Sequence, residues 1–378
     1  MMNSGYVTES DSAINLDYYS KFIVGKTALV AQGGGQRGIF TSGVLDAFLT
    51  SNFDPFHSFY GTSAGALNLC AYLCREAGLG KSFILELTTA PEFFNLFSYI
   101  RHRQGLGMEW ALEKIMSYPY KLDLDLGRRV LGDRSFHAAV TDTQRLHDHY
   151  LPMLGEDWFQ VMLATCAIPR LYTDEVLVGG RAYVDGGVSA CIPVQEAWRQ
   201  SARSIVVIRT EPISEVEPQS QAIAPNEEVE WFKDSFNSVQ DQWQQRLEQW
   251  KTDWSSFFQH QISRSKEHKR DRRNLDLLNG GRWLFGADDI YRLSHLVGDK
   301  FDSGLADMLM VHYQTYSLTQ DFLNNPPDDA FVVQIAPKEP LQASSLMSSQ
   351  EELIHDYEQG LAAGYHFIEQ YLKVSNSR

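Results

Sequence analysis

The amino-acid sequence predicts an α/β fold, a three-layer α/β/α sandwich in which helices cover both faces of a mainly parallel central sheet. Strand and helix patterns alternate between residues 27 and 74, as expected of parallel strands joined by helical crossovers. Glycine-rich turns separate these patterns, and 43% of the residues are hydrophobic, which is sufficient for a large core. We also predict a helical insertion late in the chain, at 213–310.

The first predicted strand, 27–31, leads directly into the glycine loop Gly33-Gly34-Gly35-Gln36-Arg37-Gly38. Apolar residues then recur at helical spacing, so the loop opens a helix. Three spaced glycines also fit a dinucleotide-binding loop, which makes a nucleotide site an alternative. Because no acidic residue ends the next strand to hold a ribose, we favour the interpretation that backbone N–H groups of the loop stabilise an oxyanion.

A second predicted strand, 56–60, runs into Gly61-Thr62-Ser63-Ala64-Gly65, and an alanine-rich apolar helix follows. A G-x-S-x-G sequence between a strand and a helix is typical of a nucleophile elbow. The glycines remove side chains that would clash in the sharp turn, and the serine is held outward at the N-terminus of the helix. Small residues also cluster at ordinary turns, so the motif indicates a nucleophile only together with other signals.

A third motif, Asp185-Gly186-Gly187, follows a predicted hairpin built around Gly179-Gly180. The carboxylate can emerge there at the edge of the sheet, with other backbone packed close to the glycines. An ordinary Asp-Gly turn is the alternative. The surrounding pattern predicts strands at 135–142 and 204–208, a helix at 157–168 and a helix from Pro193.

Changes in composition divide the chain into four parts. We expect an N-terminal arm at 1–25, the main domain at 26–212, a linker and helical insertion at 213–310, and a closing strand and helix within 311–378. The insertion begins with a Pro/Ser/Gln-rich linker. A long amphipathic helix with an aromatic stripe comes next, and a basic cluster follows it.

The composition argues against several classes of protein. The chain has 33 basic and 48 acidic side chains, a formal charge of −15, which disfavours nucleic-acid binding. The four cysteines form no C-x-x-C pair, so we predict neither a metal site nor a disulfide framework, and no cofactor. The first 25 residues lack a signal-peptide pattern, and no apolar run is long enough for a membrane span, so we expect a cytoplasmic protein.

A serine nucleophile needs a base, and histidine is the usual one. Six histidines follow Asp185 in the sequence, so the order Ser, Asp, His is formally possible. None of them lies in a tight glycine-bounded loop. They are His260, His268, His295, His312, His355 and His366.

The three motifs, in this order, resemble those of the patatin-like phospholipases, and the stretch Ala164-Thr165-Cys166-Ala167-Ile168-Pro169 is similar to the family's sequence ahead of its Asp-Gly motif. The resemblance covers about residues 26–210 and, loosely, the last strand and helix. It implies a Ser-Asp dyad without histidine, with Ser63 as nucleophile and Asp185 as base. It also implies that residues 33–38 form the oxyanion hole and that carboxylic esters of phospholipids or other acyl lipids are hydrolysed.

An aspartate is a weak base at neutral pH, so this chemistry requires that Asp185 is desolvated or that the serine oxygen is stabilised. Arg37 has two interpretations, a brace for the glycine loop or a contact to a substrate phosphate. A non-catalytic lipid-binding or regulatory protein on the same scaffold is the alternative function.

Two apolar segments leave further alternatives open. The cluster of Phe93, Phe94, Leu96, Phe97 and Ile100 predicts core packing, with the wall of an acyl-chain pocket as the alternative. The stretch 229–273 predicts packing on the domain or on a second copy in a homo-oligomer. A lid or a peripheral contact with the inner face of the membrane is the alternative for this stretch.

Overall fold

The computed structural model describes residues 4–7, 22, 25–94, 106–213 and 303–376. All of them belong to one compact unit formed by 1–213 and 278–378, whereas the second unit, Ser214–Leu277, lies outside the described residues. The predicted insertion at 213–310, including its amphipathic helix and basic cluster, therefore lies outside them too, except for 213 and 303–310.

The structure contains nine strands within the described residues. They are β1 Ser4–Val7, β2 Thr27–Ala31, β3 Ser58–Thr62, β4 Ser135–Asp142, β5 Asp148–Pro152, β6 Val176–Val178, β7 Arg181–Asp185, β8 Ser204–Ile208 and β9 Phe331–Ile335.

The α-helices of the described part of the chain are α1 Gly38–Thr50, α2 Ala64–Leu73, α3 Leu79–Ser82, α4 Met108–Ile115, α5 Leu124–Leu131, α6 Trp158–Thr165, α7 Val194–Arg199, α8 Ser303–Asn324 and α9 Gln350–Asn376. A π-helical turn at Phe83–Leu87 continues α3, and short 3-10 turns lie at Gly35–Arg37 and Gly186–Val188.

All nine strands join one sheet in the order β1-β9-β8-β2-β3-β4-β7-β6, with β5 paired to β4 outside this path. The pairs from β1 to β4 along the order are parallel, whereas β4–β7, β6–β7 and β4–β5 are antiparallel. The mainly parallel sheet predicted from the sequence is thus confirmed, with an antiparallel extension at one edge.

Alternate residues of the central strand β2 enter two separate cores. Leu29 and Ala31 pack in the larger core, which includes side chains of α1, α2 and α9. Ala28 and Val30 pack in the smaller core, which includes Ala197 of α7 and a residue of α8. Helices therefore cover both faces, as the three-layer prediction required.

Helices α1 and α9 approach closely because glycines face each other across the contact. A Cβ on Gly43 would lie 2.2 Å from the carbonyl oxygen of Tyr357, and one on Gly360 would lie 2.1 Å from that of Phe40. Neither position can carry a side chain without moving the helices apart. This contact holds the C-terminal helix against the helix that follows the glycine loop.

Three elements differ from the prediction. Strand β1 lies within the predicted arm and pairs with β9, although four residues are too few to show a strand period. Strand β3 begins two residues later than predicted. The apolar residue Phe56 packs in an aromatic cluster and is not part of the strand. Strand β5 was not predicted either. Among the described residues, no helix is both long enough and apolar enough to cross a membrane.

Candidate active site

Ser63 occupies the turn between β3 and α2. Its backbone has φ +51° and ψ −125°, a strained conformation for a residue with a side chain. A Cβ on Gly61 would lie 2.6 Å from Cα of Ala66, and one on Gly65 would lie 2.5 Å from the carbonyl oxygen of Ala31. Both glycines are therefore required by close packing, as expected of a nucleophile elbow.

The strained turn is held by a buried threonine from α6. The backbone N–H of Ser63 donates to Oγ1 of Thr165 at 2.9 Å, and this hydroxyl donates in turn to the carbonyl of Ala139 in β4 at 2.6 Å. Thr165 thus links the elbow to the neighbouring strand. Its role was not predicted, although it belongs to the stretch that resembles the patatin-like family.

Asp185 ends β7, and its carboxylate is also held by local contacts. Oδ1 accepts from the N–H of Gly187 at 2.6 Å, and the Asp185 carbonyl accepts from Oγ1 of Thr141 at 3.0 Å. A Cβ on Gly186 would lie 2.2 Å from the carbonyl oxygen of Ala139, so the loop packs directly against β4. These contacts hold the Asp185 carboxylate next to β4, the strand whose Ala139 carbonyl also accepts from Thr165.

The structure brings Ser63 and Asp185 together. Only 7% of Ser63 and 4% of Asp185 are exposed, and the Ser63 hydroxyl interacts with the Asp185 carboxylate. Burial raises the pKa of Asp185 to about 7, although hydrogen bonds from Gly187 and Ser63 favour the ionised form. The desolvation that the chemistry requires is therefore present.

Four of the six N–H groups in the glycine loop already have acceptors. The N–H groups of Gly33 and Gln36 donate to the carbonyls of Cys191 and Ser345. Those of Arg37 and Gly38 donate to carbonyls within the loop. Within the described parts of the chain, the N–H groups of Gly34 and Gly35 have no protein acceptor. Among the residues predicted to form an oxyanion hole, 33–38, these two glycines therefore have N–H groups available to a ligand.

Arg37 is buried, and its guanidinium pairs with Glu211 at 3.2 Å. Oε2 of Glu211 also accepts from the hydroxyl of Tyr316 in α8 at 2.5 Å. Burial opposes ionisation of Glu211, but Arg37 and the Tyr316 hydrogen bond outweigh it and lower the pKa of the carboxyl. These contacts are those expected if Arg37 braces the glycine loop, the first of its two interpretations.

Ser63 borders a cavity with about 470 Å³ of empty space, part of it open to solvent. Gly35, Gln36 and Ala64 also line this cavity, and apolar side chains form most of the remaining lining. Phe93 borders the cavity and is also buried in the larger core. Phe94 packs against that core, whereas Leu96, Phe97 and Ile100 lie outside the described residues.

Cys166 borders the cavity next to the elbow, and its thiol interacts with the Ser63 hydroxyl. Burial, together with the nearby Asp185 charge, raises the pKa of the thiol well above its usual range. The thiol is therefore neutral at physiological pH and acts as an apolar neighbour of the serine.

In the part of the chain that the structure describes, no histidine borders the cavity. Nδ1 of His312 lies 2.7 Å from the carbonyl oxygen of Gly187. His355 and His366 lie on α9, and His260, His268 and His295 fall outside the described residues. The described residues therefore offer Asp185 as the group that can accept a proton from Ser63.

Comparison with known proteins identifies the family. A family model described as patatin-like phospholipase matches residues 29–198, and a domain of unknown function (DUF6363) matches 302–376. The uncharacterized protein YjjU of Escherichia coli (strain K12) is 30% identical over 348 residues, which cover 92% of this chain and 78% of that protein. The crystal structure of VipD from Legionella pneumophila aligns with 93% of this chain and 67% of its own, at 12% identity and a TM-score of 0.37. The chain belongs to the patatin-like phospholipase family.

Proposed function

We propose that this protein is a serine lipid acyl hydrolase that cleaves carboxylic ester bonds of phospholipids or other acyl lipids through a Ser63–Asp185 dyad. The proposal rests on one observation above all. A serine in a strained elbow, bordering an apolar cavity, interacts with a buried aspartate whose pKa is raised to about 7. Membership of the family supports the general class of lipid hydrolase.

In the first half of the reaction, Asp185 takes the hydroxyl proton as Oγ of Ser63 attacks the ester carbonyl. The carbonyl oxygen becomes an oxyanion, which the N–H groups of Gly34 and Gly35 stabilise, together with the N-terminus of α2. The carbon–oxygen bond to the alcohol then breaks, the alcohol leaves with the proton from Asp185, and an acyl-enzyme remains.

In the second half, the oxygen of a water molecule attacks the acyl carbon, and Asp185 takes a proton from this water. The bond to Oγ of Ser63 breaks, the serine regains its proton, and a fatty acid is released. A base with a pKa near 7 suits both halves, because a substantial fraction is ionised at neutral pH and the protonated form still donates readily to the leaving oxygen.

Covalent labelling with a fluorophosphonate tests the proposal. We expect the wild-type protein and Ser51→Ala, a variant of an exposed serine, to be labelled, and Ser63→Ala to remain unlabelled. Hydrolysis of p-nitrophenyl butyrate should be lost in Ser63→Ala and Asp185→Asn. A wild-type protein that stays unlabelled but binds fatty acid in the cavity would support the non-catalytic lipid-binding alternative instead.

A further inference from the structure

The segment between β9 and α9 packs against the glycine loop. The N–H of Gln36 donates to the carbonyl of Ser345 at 2.9 Å, and the N–H of Ser348 donates to Oε1 of Gln36 at 2.8 Å. Gly35 has φ +55°, and a Cβ there would lie 2.3 Å from the carbonyl oxygen of Ser345. Ser345 is thus in direct backbone contact with a residue that we propose as an oxyanion donor.

This segment is held rigidly by α9. The carboxylate of Asp356 is fully buried and accepts from the N–H groups of Gln342 and Ala343 at 3.2 and 2.7 Å. Within the segment, the hydroxyl of Ser344 donates to the carbonyl of Leu346 at 2.6 Å. The position of the intervening Ser345 is therefore determined on both sides.

Ser345 borders the same cavity as Ser63 and Gly35. Its side chain is fully buried, and its hydroxyl has no hydrogen-bond partner among the residues that the structure describes. Buried polar groups nearly always have partners, because an unsatisfied hydroxyl loses its hydration without compensation. Because Ser345 is one of the residues that line the cavity, a ligand bound there can supply the missing partner.

We propose that the hydroxyl of Ser345 donates a hydrogen bond to the carbonyl oxygen of the bound acyl ester and strengthens this bond as the oxyanion forms. The C-terminal stretch, 302–376, which matches a domain of unknown function, would then complete the active site with a substrate-contacting residue. This inference rests on the proposed hydrolase function. It adds Ser345 to the N–H groups of Gly34 and Gly35 as a third donor.

The variant Ser345→Ala removes the hydroxyl and keeps the Cβ. With p-nitrophenyl butyrate, we expect kcat and kcat/KM to fall together by roughly 10- to 100-fold, with KM unchanged, since the bond is strongest in the transition state. The rate of fluorophosphonate labelling at Ser63 should fall as well, because the phosphonyl oxygen occupies the same position. The Tm should stay level or rise, because no hydrogen bond within the protein is lost.

Ser349→Ala is the matched control. The exposed hydroxyl of Ser349 accepts from the N–H of Glu352 in the first turn of α9, so its loss should lower the Tm without changing kcat. Unchanged kcat and labelling rate in Ser345→Ala would overturn the inference, and so would a fall in activity accompanied by a fall in Tm. If the wild-type protein is labelled and Ser63→Ala is not, such a result leaves the proposed hydrolase function intact.

Discussion

At the scale of single residues, Asp185 determines how the site should respond to pH. Burial raises its pKa to about 7, and only the ionised carboxylate can accept a proton from Ser63. We therefore expect kcat/KM for p-nitrophenyl butyrate to be level above about pH 8 and to fall by about tenfold per unit below about pH 6. The measurement is a pH–rate profile, with circular dichroism to verify that the protein stays folded. A profile that is flat between those limits would contradict the assignment of Asp185 as base.

The same burial should make Asp185 destabilising when it is ionised. The carboxyl binds its proton more tightly in the folded protein than in the unfolded chain, where its pKa is near 3.8. The free energy of unfolding contributed by this group is therefore highest below about pH 4 and falls as the pH rises to about 7. Ionisation of the buried carboxyl costs about 4 kcal/mol if the full shift of the pKa is effective.

Asp185→Asn should consequently be more stable than the wild type at about pH 8, and the difference in Tm should shrink towards about pH 5. The asparagine keeps an oxygen that can accept from the N–H of Gly187, so the loop contact at 2.6 Å is preserved. Thermal unfolding of both proteins at the two pH values measures the effect. Equal Tm values of the two proteins at both pH values would show that burial does not disfavour the ionised carboxylate.

The sequence indicated which residues carry the proposed chemistry but not which residues hold them. Ser63 and Asp185 belong to short motifs whose glycines are needed for local backbone geometry. Such motifs can be recognised from residues that are adjacent in the sequence. Thr165 and Ser345 contact the site from segments far along the chain, and no local pattern marks an ordinary serine or threonine for such a contact. The same limitation applied to Arg37, whose partner Glu211 is 174 positions away.

At the scale of elements, buried parallel strands were the most predictable part of the chain. Strands β2, β4 and β8 were predicted with the bounds that they have. For β2 and β8 the reason is that a strand covered on both faces is a continuous apolar run. Strand β5 lies at the antiparallel edge and is only partly buried, so its side chains show no such run. Strand β1 is a short edge strand defined by its pairing with β9.

The contact between α1 and α9 was not visible in the sequence, although it positions the candidate site. Gly43, Gly360 and Gly364 interrupt otherwise good helical patterns, and each would be read locally as a weak point of a helix. In the structure they allow two backbones to touch, with aromatic packing such as Phe48 on Phe367 beside them, at 5.7 Å between ring centroids. Glycine at these positions lowers the helix propensity but allows α1 and α9 to pack closely.

At the scale of the whole molecule, the C-terminal stretch is part of the main fold. Strand β9 pairs with β8 on one side and with β1 on the other, so the sheet continues through it. Helix α9 covers α1, and the segment before α9 contacts the glycine loop at Gln36. The residues matched by the patatin-like model, 29–198, therefore lack both a sheet neighbour and a helical cover when considered alone.

We predict that a chain ending at residue 302 does not form a cooperatively folded protein, even though Ser63 and Asp185 remain. The truncation would expose the apolar face of α1, including Phe48, and would leave β8 as an unpaired edge. Binding of the dye ANS should rise, the near-UV circular dichroism should be lost, and fluorophosphonate labelling should disappear. A chain ending at residue 376 serves as the control and should behave as the full-length protein. Cooperative unfolding and labelling of the shorter chain would show instead that 303–376 is a separable addition to a self-sufficient hydrolase domain.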